Sequence, residues 1–92
     1  MKVTVKYSAQ LKQAAGVSRE ILDVANGCSA RHAVLKLAVG KTEPLKGMLL
    51  DSTGAPHEYI LLCVNDEQIA WDSELKLNDD DEIILLSPIS GG

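Results

Sequence analysis

One stretch of this chain carries a sustained helical stripe. Ala30, Ala33, Val34, Leu37 and Ala38 recur at i, i+3, i+4, i+7 and i+8, which puts all five on one side of a helix. Ser29 is placed to cap its start and Gly40 to end it. His32 and Lys36 fall on the other side, toward water. A lone amphipathic helix cannot bury its stripe unaided, and the rest of the chain is patterned as strands. Residues 2–7 alternate, with Val3, Val5 and Tyr7 on one face and Lys2, Thr4 and Lys6 on the other. Further strands fit residues 18–24, 58–64, 67–70 and 82–87. Breaks fall at Asn26-Gly27, Asp51-Ser52-Thr53-Gly54, Asn65-Asp66 and residues 78–81. The alanines of the stripe would let helix and sheet approach closely. The pattern predicts an α+β domain, with a sheet packed on one main helix.

Two short helices complete the reading. Ser8 can cap one over residues 9–15, stopped by Gly16. Pro44 can open another over residues 45–50; the region 40–57 is otherwise the least patterned. The run Ile83-Ile84-Leu85-Leu86 predicts a strand near the sheet centre, buried on both faces. Pro88 cannot donate to a ladder, so it ends that strand or keeps it at an edge.

At 92 residues the chain reads as one domain, 1–92, with residues 88–92 a flexible C-terminal tail. Tyr7, Tyr59 and Trp71 are its only aromatics, so the core rests on Leu, Val, Ile and Ala. A net charge of −4 argues against tracking nucleic-acid phosphates. No apolar run approaches transmembrane length, and Met1-Lys2-Val3-Thr4-Val5 is not a signal peptide. The expectation is a cytoplasmic protein with no nucleic-acid or membrane partner.

The chemistry-bearing residues are sparse. His32 and His57 do not make a metal-ligand pattern, so no metal site is expected. The acidic run 79–82 reads as a solvated turn and lacks the full EF-hand spacing. Cys63 reads as a small core residue. Cys28 precedes the main helix, where a thiolate would be favoured, yet it reads as a structural or bystander thiol, with a reactive thiolate as the alternative. Trp71 reads as a packing residue. Leu86, Pro88 and Ile89 would form a docking strip if exposed; the alternative for Leu86 is plain core.

Taken in order, several segments resemble one family. They are Tyr7-Ser8-Ala9-Gln10-Leu11-Lys12 through Gly16, the hairpin Val64-Asn65-Asp66-Glu67, the turn Leu77-Asn78-Asp79-Asp80-Asp81-Glu82-Ile83, and the end Leu86-Ser87-Pro88-Ile89-Ser90-Gly91-Gly92. Together they resemble the MoaD/ThiS sulfur carriers, most of all the molybdopterin synthase small subunit. The chain departs from that pattern in three ways. Leu86 and Ser87 stand where the family often has Phe and a first proline, Asp80 stands where it usually has Gly, and the middle segment is somewhat long.

The resemblance implies a β-grasp, ubiquitin-like fold with a mixed sheet. It implies a working end at Gly92, carried as a thiocarboxylate that donates sulfur in molybdopterin biosynthesis. Gly91, without a Cβ, would help the tail thread a narrow channel. Leu86, Pro88, Ile89, Ser90 and Lys12 would face partners; a solvated lysine is the alternative for Lys12. The implied partners are the large synthase subunit (MoaE-like) and an E1-like adenylating enzyme (MoeB/ThiF-like). The latter spends ATP to activate the carboxylate; this chain is expected to bind no cofactor and to be no enzyme on its own. A sulfur carrier for thiamine or another metabolite, a ubiquitin-like protein modifier, and a plain β-grasp interaction domain remain open.

Overall fold

The computed structural model describes residues 1–87; residues 88–92 lie outside the described residues. The elements are β1 (Lys2–Tyr7), α1 (Ala9–Ala15), β2 (Arg19–Asp23), α2 (Ala30–Val39), α3 (Leu45–Leu49), β3 (Leu61–Val64), β4 (Glu67–Ile69) and β5 (Glu82–Leu86). The strands form one sheet in the order β2-β1-β5-β3-β4. β1 and β5 run parallel at its centre, and the other pairings are antiparallel. This is the mixed β-grasp sheet that the resemblance implies.

Alternation decides which side chains meet the helices. Val3, Val5 and Tyr7 of β1, Leu62 and Val64 of β3, and Ile83 and Leu85 of β5 are buried. They form one apolar cluster with the five α2 stripe residues, Leu11 of α1, and Leu45 and Leu49 of α3. Every stripe residue read from the sequence is buried, while His32 and Lys36 are exposed. Ser29 caps α2 by accepting from the His32 backbone N–H at 3.2 Å.

The turns follow their residue chemistry. Asn65 and Asp66 both take positive φ (50° and 72°), the geometry a two-residue hairpin needs to match strand twist. Asp80 stands at φ 68°, a left-handed position that Asp tolerates better than most residues. Asn65 joins the two turns: its Nδ2 donates to Asp81 Oδ1 at 2.8 Å, and its Oδ1 accepts from Glu82 N at 2.9 Å. Asp79 accepts from Lys2 N, and Asp81 Oδ2 from Asn78 N. Three of these acidic and amide side chains thus close turns rather than merely face solvent.

Four local expectations need correction. Ser8 occupies the cap position of α1 but makes no side-chain cap bond; its Oγ donates to the Leu85 carbonyl at 3.1 Å, tying α1 to β5. The strand expected over 58–64 begins at Leu61, because Ile60 N–H turns back to the His57 carbonyl and the Ile60 carbonyl accepts from Trp71 Nε1 at 2.9 Å. β5 is central but not buried on both faces: Ile84 and Leu86 are half-buried. The fourth concerns Cys63, half-buried opposite Ile84 rather than in the core. These last two share one cause: α1, α2 and α3 pack their buried side chains into the cluster on the core side, and among the described residues no helix packs on the opposite face of the sheet.

Candidate functional site

That uncovered face carries an apolar strip. Strand registers place Leu61 opposite Leu86, and Cys63 opposite Ile84. Residues directly opposite in a sheet share a face, so Leu61, Cys63, Ile84 and Leu86 line one patch across β3 and β5. Leu61 is 42% exposed. Lys6 of β1 lies opposite Ile84 and forms an ion pair with Glu82 at 3.2 Å, giving the patch a polar border. An apolar patch with a charged rim is the usual anatomy of a docking surface.

Of the residues singled out from sequence, Leu86 sits on this strip and not in the core. The neighbouring Leu85 takes the core position and is fully buried. Ser87 follows β5 and is buried; its Oγ has no hydrogen-bond partner among the described residues. Pro88, Ile89, Ser90, Gly91 and Gly92 fall outside the described residues. Lys12 is exposed on α1, beside an open groove lined by Ala9, Gln13, Gly16, Val17 and Ser18. It is not on the Leu61–Leu86 strip, which lies on the other side of the sheet from α1's buried Leu11.

The other titratable groups serve the scaffold. Tyr7 donates its hydroxyl to Glu20 Oε2 at 2.7 Å, and Lys41 donates to Glu20 Oε1 at 2.8 Å. Burial, with help from the Glu20 carboxylate, pushes the Tyr7 phenol far above its ordinary range. Burial would raise the Glu20 carboxyl, but the hydrogen bonds from Lys41 and Tyr7 outweigh it and leave it lowered. Burial pushes the Cys28 thiol up against weaker opposite pulls from Lys36 and the N-terminus, so the alternative of a reactive thiolate ahead of α2 is not favoured. Trp71 is half-buried against the core with its N–H satisfied, a packing residue. His57 stacks on Tyr59 with centroids 4.5 Å apart. Among the described residues no three His, Cys, Asp or Glu side chains gather to hold a metal ion. No helix among them is long and apolar enough to cross a membrane.

Sequence reasoning missed Leu61, Cys63 and Ile84 as members of the strip. β3 reads Leu-Leu-Cys-Val and β5 Ile-Ile-Leu-Leu, apolar at both parities, so alternation alone could not say which side chains face the helices. Only the pairing of the two strands reveals the patch.

Comparison with known proteins gives this geometry a context. The profile of the ThiS family matches residues 5–92. The molybdopterin synthase sulfur carrier subunit of Dictyostelium discoideum is 49% identical over 35 residues, which is 38% of this chain and 41% of that protein. Among solved structures, SAMP1 from Haloferax volcanii superposes with a TM-score of 0.84 at 25% identity, over 100% of both chains. A complex of subunits 1 and 2 of the molybdopterin-converting factor from Helicobacter pylori matches with a TM-score of 0.64 at 25% identity, again over 100% of both chains.

Proposed function

The chain belongs to the ThiS family, and from that premise we propose that it is the sulfur-carrying small subunit of a molybdopterin synthase, working in the cytoplasm. The observation that carries this reading is the Leu61–Cys63–Ile84–Leu86 strip, whose last member precedes Gly92 by six residues in the sequence. A carrier must be gripped by its body while its terminus reaches a distant reaction centre. The uncovered face supplies the grip, and five residues beyond Ser87 would extend at most about 17 Å. The Helicobacter complex of two subunits supports a MoaE-like partner.

The proposed chemistry resides at Gly92, which must carry a free carboxylate. A carboxylate is a poor electrophile. An E1-like enzyme would let a carboxylate oxygen attack the α-phosphorus of ATP, expelling pyrophosphate and forming an acyl-adenylate. Hydrosulfide (HS⁻) then attacks the carbonyl carbon, AMP leaves, a proton is released, and the terminus becomes a thiocarboxylate. Its sulfur is the nucleophile toward the pterin precursor in the large subunit's pocket. Gly91 and Gly92 present no Cβ to a narrow channel, while Pro88 reduces the tail's freedom before docking. Catalytic side chains come from the partners.

One likeness favours a second reading. SAMP1 is a small archaeal modifier protein by name, and its TM-score of 0.84 exceeds the 0.64 of the Helicobacter complex. A protein modifier would use the same adenylate and pass Gly92 to a lysine amine. Complementation separates the two. The full chain should restore cofactor synthesis to a strain lacking the small subunit, and a Gly92 deletion should not. Rescue by the deletion would overturn the carrier mechanism. Failure of the full chain, together with Gly-Gly remnants on protein lysines, would favour the modifier.

A further inference from the structure

We infer that the outer edge of β2 is a self-association site, pairing with β2 of a second copy across a two-fold axis. β2 is the last strand of the sheet, and among the described residues no strand pairs with its outer edge. Tyr7 N–H bonds the Ser18 carbonyl and Val24 N–H the Met1 carbonyl. With the register Val5↔Glu20 and Val3↔Leu22, the backbone groups of Glu20 and Leu22 point inward to β1. Those of Arg19, Ile21 and Asp23 therefore point outward.

The sequence of this edge is self-complementary. Arg19-Glu20-Ile21-Leu22-Asp23, laid antiparallel on its own copy with Ile21 at the centre, places Ile21 opposite Ile21 and Arg19 opposite Asp23 twice. All three outward residues then join hydrogen-bonded pairs, and the two sheets become one continuous sheet. Ile21 is 70% exposed, an apolar cost that pairing would relieve. Arg19 and Asp23 have no ion-pair partner among the described residues. Arg19 moreover lies opposite Lys6 of β1, so its own sheet offers it a like charge, and the second copy offers a carboxylate. Lys36 Nζ donates to the Asp23 carbonyl; a carbonyl has two lone pairs, so that oxygen can still accept from the Arg19 N–H of the second copy. A five-residue edge buries far less than the roughly 1,600 Å² of a standard interface, so the dimer is weak, and it weakens further with salt.

A charge swap tests this. Arg19 and Asp23 of one strand are four residues apart, about 13 Å, too far to pair with each other. Arg19→Asp and Asp23→Arg each bring like charges together across the axis, whereas the double variant restores opposite ones. Sedimentation equilibrium of the full chain over micromolar to millimolar concentration, at low salt, should show concentration-dependent dimer. Each single reversal should weaken it about tenfold, and the double variant should recover it. Slowed amide exchange at Ile21 with rising concentration should accompany the dimer. Thermal melts at low concentration check that each variant folds. A chain that stays monomeric at millimolar concentration overturns the inference and leaves the edge to an extended segment of another protein. A double variant that fails to recover, although folded, also overturns it.

Discussion

Replacing Glu20 by Gln should loosen the join between the sheet and the end of α2. Glu20 accepts from Tyr7 of β1 at 2.7 Å and from Lys41, beyond α2, at 2.8 Å. Gln keeps the shape but loses the charge, and its amide NH₂ must face one of two donors. A charge-assisted bond is worth about 1.5–3 kcal/mol. The Lys41 and Glu20 side chains are 29% and 26% exposed, so solvent screening reduces the loss to about 1–2 kcal/mol. For a domain of this size that is roughly 5–10 °C in Tm. The pH dependence gives a sharper test. The Glu20 carboxyl is lowered in the folded state, so its contribution is full above the unfolded-state value. It is lost as pH falls through the folded value. Urea melts at neutral pH should therefore separate the two proteins, and the gap should close once the wild-type carboxyl is protonated. Equal stability at neutral pH, or a gap that persists in acid, would refute the coupling.

Two further outcomes follow from the sheet's two faces and its turns. Leu61→Asp and Leu86→Asp alter the uncovered face, so each should fold with a near-normal melt yet bind a MoaE-like large subunit, the partner proposed above, at least about tenfold more weakly by calorimetry; unchanged binding would remove the strip from the proposed interface. Asp80→Gly relieves a left-handed residue at φ 68° and should be neutral or stabilise by about 0.5 kcal/mol in chemical denaturation; a loss above about 1 kcal/mol would mean that its side chain contributes something beyond turn geometry.

The helix side of the fold was legible because its signals agree. The α2 stripe, its Ser29 cap and the alternation of β1 each point to the same buried face. The glycine and Asx turns follow from the few residues that accept positive φ. The strand expected at 58–64 failed at its start because Trp71 claims the Ile60 carbonyl, a contact eleven residues away that no local pattern announces. Ser8 looked like a cap, yet its hydroxyl serves β5, 77 residues on. Cys63 was misassigned to the core because β3 is apolar at both parities. The apolar strip was legible only at Leu86, since its other members are defined by the register between β3 and β5. Pro88 to Gly92 lie outside the described residues, and their assigned roles rest on the family resemblance alone.

The central claim is that Gly92 carries sulfur. Intact-mass analysis of the protein, purified from its own cells during active cofactor synthesis, tests it most directly. The account predicts a fraction of chains with one oxygen replaced by sulfur, located by fragmentation to Gly92. A terminus that stays an ordinary carboxylate under those conditions would contradict it.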